Sequence, residues 1–335
     1  MELRKLQVTG GSTHVLSLPK KWIDRNKLSR SDPIAIHEEH DGSLLLIPHG
    51  EAKTVGRSPA VKFPKNCPRE GVVRRLVGAY LAGADEIIVS SEGKMDPKLR
   101  ATVRDITRTL IGMEILEESA STMTLQDLVG VSDMDLRKTL ARMQRIARLM
   151  HDDALGALQS GDRERAQEVI QRDDELDRLL WMVSKQMHAL LEQPRVAAKL
   201  NVRPAEALNL FLAARSLERM GDHATKIAAN TLGLAGHAVP SKAVESLVAQ
   251  ATEVQAIWDA AFNALRRTDF ESASAAADAG EKAALWRGRF PALLGNLPAD
   301  AVGALTLVAD SIDRTRGYAV DLAEAAMNQT FQKQT

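Results

Sequence analysis

The stretch Ser216–Asn230, SLERMGDHATKIAAN, returns in altered form at Ser311–Ala325, SIDRTRGYAVDLAEA. Ser216-Leu217-Glu218-Arg219 sets on Ser311-Ile312-Asp313-Arg314 at an offset of 95, and Ala224–Ala228 sets on Ala319–Ala323 at the same offset. Upstream, Asp152–Leu158 (DDALGAL) sets on Asp259–Leu265 (DAAFNAL) at an offset of 107, and Gly161-Asp162 falls on Thr268-Asp269. A repeat of this period is read before anything else, because each copy is one unit that cannot cover its own apolar face. The offset drops by 12 between the two matches, so the second copy lost residues in its middle connection. Pro194 to Pro204 marks that longer connection in the first copy. Each copy offers about three amphipathic helices, and two three-helix bundles packed side by side bury both sets of apolar stripes. The bundles are expected over residues 132–235 and 241–330.

Working outward, the texture changes. From Arg69, Val72, Val73, Leu76, Val77, Tyr80 and Leu81 keep helical spacing, and Gly83 ends that helix. Asp85–Val89 reads as a buried strand. Asp96-Pro97 opens a second helix running through Leu110, with Asp96 as N-cap and Pro97 at N1. Met113–Glu118 and Thr122–Leu125 read as a strand pair. Residues 68–130 therefore predict a small α/β middle domain. Residues 51–67, carrying Gly56, Pro59 and Pro64, read as a linker. Residues 1–50 read as strands Leu6–Thr9 and His14–Leu18 around Gly10-Gly11-Ser12, then a helix Lys20–Lys27 opened by Pro19. A hairpin follows: Pro33–Glu39, the turn Asp41-Gly42, and Ser43–Ile47, stopped by Pro48. A unit this small rarely buries enough surface alone, so it is expected to dimerise. The fold class is multidomain and mainly α.

Composition agrees. Across 335 residues, 44% are hydrophobic and 26% charged, which is ordinary for globular chains, while aromatics are only 4%. The core must rest on aliphatic side chains that favour helices. Basic and acidic residues balance at 44 each, so any electrostatic binding must be local. One cysteine, Cys67, excludes an intrachain disulfide and a cysteine-based zinc or iron–sulfur site. Met1–Lys5 mixes charges without a following apolar stretch, and no run of about 18 apolar residues occurs, so the expected location is the cytoplasm.

Two carboxylate pairs carry the chemistry. Asp173 and Asp177 lie four apart on one helix face, repelling each other by about 0.2–0.5 kcal/mol, which a bound cation would offset. A solvated acidic stripe with Asp174 and Glu175 is the plain alternative. Glu218 and Asp222 repeat the spacing, with His223 beside them. Two such helices facing each other would converge four oxygens and a nitrogen, the logic of carboxylate metal sites in bundles. Gly221 costs about 1 kcal/mol in a helix and so points to close packing or close ligand approach. His37, His40 and His49 cluster only in sequence. Trp181 and Trp286, after comparable helices of the two copies, read as packing residues. No Gly-rich phosphate loop, nucleophile elbow or HExxH occurs.

The Ser216–Asn230 stretch and its second copy resemble the PhoU family of phosphate-uptake regulators, over roughly residues 135–330. The resemblance implies paired carboxylates facing outward from the bundle and holding iron, zinc, manganese or magnesium. Residue by residue it carries over to Asp173, Asp177, Glu218 and Asp222. In the second copy Asp313 matches Glu218, but Gly317, Tyr318, Gly280 and Ala284 stand for Asp222, His223, Asp173 and Asp177. At most one complete site, in the first copy, is expected. The family also implies the phosphate transporter's ATPase or a sensor kinase as partners.

Thr13–Trp22 (THVLSLPKKW), Asp32–Ile36, Asp41-Gly42 and Leu45–Pro48 look like a SpoVT/AbrB swapped-hairpin domain. That resemblance implies an intertwined dimer binding DNA through basic residues of the first strands and helix, here Arg4, Lys5, Lys20, Lys21 and Arg25. The family's Gly-Asp before the third strand is Ser31-Asp32. Charge supports the footprint independently. Residues 1–30 carry seven Lys/Arg (4, 5, 20, 21, 25, 27, 30) against two acids (2, 24), while residues 31–50 carry four acids (32, 38, 39, 41) and no Lys/Arg.

Together these features predict a cytoplasmic homodimer that regulates phosphate uptake, binding promoter DNA at one end and a metal or partner at the other, as in PhoU-like proteins of the archaeal type. An adaptor that dimerises and docks on the transporter ATPase without touching DNA is the rival. A metal-dependent phosphohydrolase is the third reading; no general base or substrate clamp is legible for it, and the chain is read as a non-enzyme.

Overall fold

The computed structural model describes residues 2–38, 42–48, 58–64, 67–91, 93–283 and 290–332. The chain divides into two compact units, Met1–Gly56 and Arg57–Thr335.

In the first unit β1 (Gln7–Thr9) and β2 (Thr13–Val15) pair antiparallel, Val8 opposite His14. Gly10 and Gly11 take positive φ between them, as a tight reversal requires. The short helix α1 (Lys20–Arg25) follows. β3 (Ile34–Glu38) and β4 (Leu44–Pro48) form the expected hairpin, Ile36 opposite Leu46. Among the boundaries that differ, β2 ends at Val15, α1 ends at Arg25 rather than Lys27, and Pro48 is the last residue of β4 rather than its stop, because an edge position needs no N–H there. Ser31 has φ +76°, the conformation a glycine would take, so the turn survives Ser31-Asp32 at a steric cost; the Ser29 N–H donates to Asp32 at 2.6 Å. No described residue of this unit is buried, and Val8, Ile36 and Leu44 are each more than 60% exposed. His40, His49 and the Asp41 half of the turn lie outside the described residues.

The second unit opens with a sheet in the order β5-β6-β8-β7. β5 (Ala60–Phe63) falls inside the segment read as a linker and pairs parallel with β6 (Glu86–Ser91). Its four residues sit between Pro59 and Pro64, so the punctuation hid a strand whose pairing is non-local. β7 (Met113–Glu118) and β8 (Thr122–Asp127) form the expected strand pair. α2 (Arg69–Leu81) joins β5 to β6 and α3 (Pro97–Thr109) joins β6 to β7, and the Asp96 side chain caps α3 by accepting from the Lys98 N–H.

The rest is helical: α4 (Leu136–Ser160), α5 (Arg163–Glu192), the short α6 (Pro194–Leu200), α7 (Pro204–Gly233), α8 (Ser241–Arg267), α9 (Phe270–Ala283) and α10 (Ala299–Gln332). α4, α5 and α7 make the first copy; α8, α9 and α10 make the second, with α6 in the longer connection. Equivalent residues meet across the middle. Gln255 Nε2 donates to Asp152 at 3.1 Å while Arg148 Nε, at Gln255's equivalent, lies 3.4 Å from Asp259, at Asp152's equivalent. The rings of His151 and Trp258, one offset apart, stack edge-on at 5.4 Å, and those of His223 and Tyr318, also equivalents, lie 5.8 Å apart. The two copies thus pack as an internal isologous pair. Below these rings His151 Nε2 donates to the Met220 carbonyl at 2.9 Å, and Trp258 Nε1 donates to Gln144 at 2.5 Å.

The middle domain does not stand apart from the bundles. Met182 of α5 is buried in the middle core with Phe63, Leu76, Tyr80, Ile87, Val89 and Leu125, and Trp181, inside α5 rather than after a helix, packs on the same cluster. Trp286 lies outside the described residues.

Candidate functional site

α5 presents Asp173 and Asp177 to α7, which presents Glu218 and Asp222, so the four expected carboxylates meet along one seam. Burial and the charge of Asp222 push Asp173 above the usual carboxylate range. Burial, then Asp173 and Asp222, lift Asp177 to about 6. Burial and Asp222 lift Glu218 to about 7, opposed by Arg219. Arg219 is the near counter-charge, 3.2 Å from Asp222 Oδ2 and 3.7 Å from Glu218 Oε2. It is half-exposed, where such pairs contribute little.

Close helix packing makes the seam. A Cβ on Gly221 would lie 2.2 Å from Leu176 Cδ1, so the glycine lets α7 touch α5 between the two carboxylate pairs. Of the two reasons expected for Gly221, close packing is the one this contact supplies.

The donor set is all oxygen and suits a hard cation. The buried Thr225 hydroxyl, which faces Asp173 without a partner of good geometry, adds another oxygen. Among the described residues, however, no three His, Cys, Asp or Glu side chains stand where one metal ion could be held. His223 is not among the seam's donors. Its ring turns to Tyr318 of the second copy, and burial with Lys226 and His151 nearby lowers it to about 4.

The second copy fills the corresponding seam differently. Arg316 stands at the position of Gly221. Its Nε lies 2.9 Å from Asp313 Oδ1, and its Nη1 donates to the Gly280 carbonyl at 3.0 Å. Gly280, in the place of Asp173, admits the close approach of Val320, whose Cγ2 would lie 2.4 Å from an added Cβ. A guanidinium thus lies inside the second seam, whereas in the first the arginine beside the carboxylates, Arg219, is half-exposed. The offset of 95 aligns Arg316 with Gly221, so the signal was present in the sequence.

In the first unit Arg4, Lys5, Lys20, Lys21 and Arg25 are all exposed. Arg4 pairs with Glu2. Lys20, Lys21 and Arg25 share α1, so three of the five sit on one short helix.

Residues 140–231 match the PhoU domain family, and residues 7–61 match the MazE family, described as antidote-toxin recognition in a bacterial antitoxin. The PhoU match falls on the first copy, the one that carries the carboxylates. The crystal structure of PhoU from Pseudomonas aeruginosa matches with 20% identity over 60% of this chain and 97% of that chain, at a TM-score of 0.47. No curated protein matches the chain. No helix among the described residues is long and apolar enough to cross a membrane.

Proposed function

We propose that this chain, which joins an AbrB/MazE-like domain to a PhoU domain, is a cytoplasmic homodimer that regulates phosphate uptake by binding promoter DNA. The pairing of those two domains in one chain carries the reading. The first unit supports the dimer: a hairpin domain with no buried described side chain cannot be stable as a lone copy, and a second copy would cover Val8, Ile36 and Leu44. It supports DNA through Lys5, Lys20, Lys21 and Arg25, with Arg4 released from Glu2, since phosphate contacts supply most sequence-independent affinity.

The bundles are the sensing part. Asp173, Asp177, Glu218 and Asp222 would hold a divalent or trivalent cation (iron, manganese, magnesium or zinc), adding positive charge where four carboxylates have one half-exposed arginine beside them. The second copy would hold none, because Arg316 occupies its seam. The residues do no bond-breaking in this reading, and the transporter ATPase or a sensor kinase is the natural protein partner.

The test is DNA binding by the full chain to phosphate-transporter promoter DNA at 50 and 200 mM salt. With six or more phosphates neutralised per dimer, affinity should fall about 10³-fold or more between the two. Replacing Arg4, Lys5, Lys20, Lys21 and Arg25 by alanine should abolish it. No preference over random DNA would sink the DNA reading and leave the adaptor, a dimer that docks on the ATPase.

A further inference from the structure

The two copies also differ at one end of the bundle. At the offset of 107, Arg163, the first residue of α5, stands where the second copy has Phe270. At the offset of 95, Gly236, just past α7, stands where the second copy has Phe331. In the second copy those two rings meet edge-on, 5.4 Å apart. In the first they have no counterpart. Gly236 takes φ +86° and turns the chain away, where α10 continues as helix through Gln332. A cavity of about 580 Å³ lies there, between the α4–α5 turn, the end of α7 and the start of α8, and both Arg163 and Gly236 line it. Ligand sites measure about 300–1,000 Å³, and about 150 Å³ is enough for a benzene ring.

We propose that this cavity binds a small aromatic anion: a ring in the place that the second copy gives to its own phenylalanines, with a carboxylate or phosphate group on the Arg163 guanidinium. Leu158, Leu234, Val239 and Val244 supply the apolar wall for the ring. Arg163 supplies the charge, and a guanidinium takes either group through two parallel hydrogen bonds. It is exposed and uncommitted: Arg165 and Arg172 of the same helix share Asp153, at 2.9 and 2.6 Å, and among the described residues no carboxylate pairs with Arg163. Glu245 of α8 is the one carboxylate of the lining and opposes a second negative group, so the ligand carries its charge at one end. The wall beyond α7 is fixed in place. The His237 N–H donates to the Leu234 carbonyl at 3.1 Å, and His237 Nε2 lies 3.3 Å from Asp300 Oδ2 at the start of α10. Arg163 is ten residues from Asp173, about 15 Å along α5, so this site is separate from the carboxylate seam and does not depend on a cation there.

The test is calorimetry on the full chain with benzoate and phenyl phosphate, against inorganic phosphate and benzyl alcohol, which carry the charge and the ring separately. At least one aromatic anion should bind, about tenfold or more tighter than either fragment, and the two probes distinguish a carboxylate ligand from a phosphate ligand. Arg163→Gln, at an exposed position, should weaken that binding by about tenfold or more. Arg163→Phe puts the second copy's residue into the cavity; it should abolish binding and leave the melting temperature unchanged or raised. Aromatic anions that bind no tighter than their fragments overturn the inference, and so does binding that Arg163→Gln and Arg163→Phe both leave intact. If neither aromatic anion binds and Arg163→Phe changes the oligomeric state in sedimentation, the cavity receives a side chain of a second copy and the inference falls.

Discussion

The two helical copies share a plan and differ in how they balance charge. In the first, four carboxylates crowd a seam with one half-exposed arginine beside them, and burial raises three of the four. In the second, Gly280, Ala284 and Gly317 stand in place of three of the carboxylates, and Arg316 pairs with the remaining one, Asp313. The lesson is that two copies of one plan can balance a charged seam in different ways, the second with a guanidinium of its own chain.

The largest effect should come from undoing the second copy's solution. Arg316→Met removes the guanidinium from Asp313 and should cost about 3 kcal/mol in urea unfolding. Arg219→Met, its nearest analogue in the first copy, should cost under about 1 kcal/mol. Equal costs would break the comparison.

Next is cation affinity. Asp177→Asn with Asp222→Asn should weaken manganese or magnesium binding by about 100-fold or more, since even partners outside the ligand shell are worth about 10–100-fold. Asp313→Asn should leave it unchanged. Calorimetry that found a second site lost with Asp313 would show that the second copy also holds a cation.

The acid range should separate the copies again. Asp177 and Glu218 are raised to about 6 and about 7 by burial and neighbouring carboxylates. A raised folded pKa means their stabilising contribution is complete below the ordinary carboxylate range and is lost as pH climbs through 6 and 7. Buried His151 and His223, lowered to about 4, act in the opposite sense and lose stability as pH falls towards 4. The variant Asp177→Asn with Glu218→Gln isolates the first effect. It should exceed the unaltered chain by about 1–2 kcal/mol at pH 8, after discounting for solvent, and the gap should close near pH 4.

The smallest effect concerns one turn. Thr268 stands where the first copy has Gly161, and both take positive φ, +56° and +70°. A β-branched residue is strained there, so Thr268→Gly should raise stability by about 1 kcal/mol. Gly161→Thr should lower it similarly, read as shifts in melting temperature.

The helices, the repeat, the hairpin unit and the four carboxylates were legible because their signals are local. Amphipathic spacing, Asp96-Pro97 and the two offsets each lie within a short stretch of chain. β5 was missed because a four-residue strand between prolines has no local signature; its pairing with β6 is made 28 residues away. The direction of His223 was also out of reach, since residue spacing places a side chain on a helix without saying which neighbour covers that face.

By itself, then, the sequence determined that two helical copies exist, that they descend from one pattern, and that only the first retains paired carboxylates. Equivalent residues such as His151 and Trp258 were already one offset apart on the page. Only the tertiary structure decided that these equivalents meet, that Arg316 closes the second seam, and that Lys185 of α5, paired with Asp127 of β8, ties the first copy to the middle sheet. Those are contacts between elements distant in the chain. Their energy depends on burial and on which charges share a low-dielectric space, and neither is set until the helices have packed.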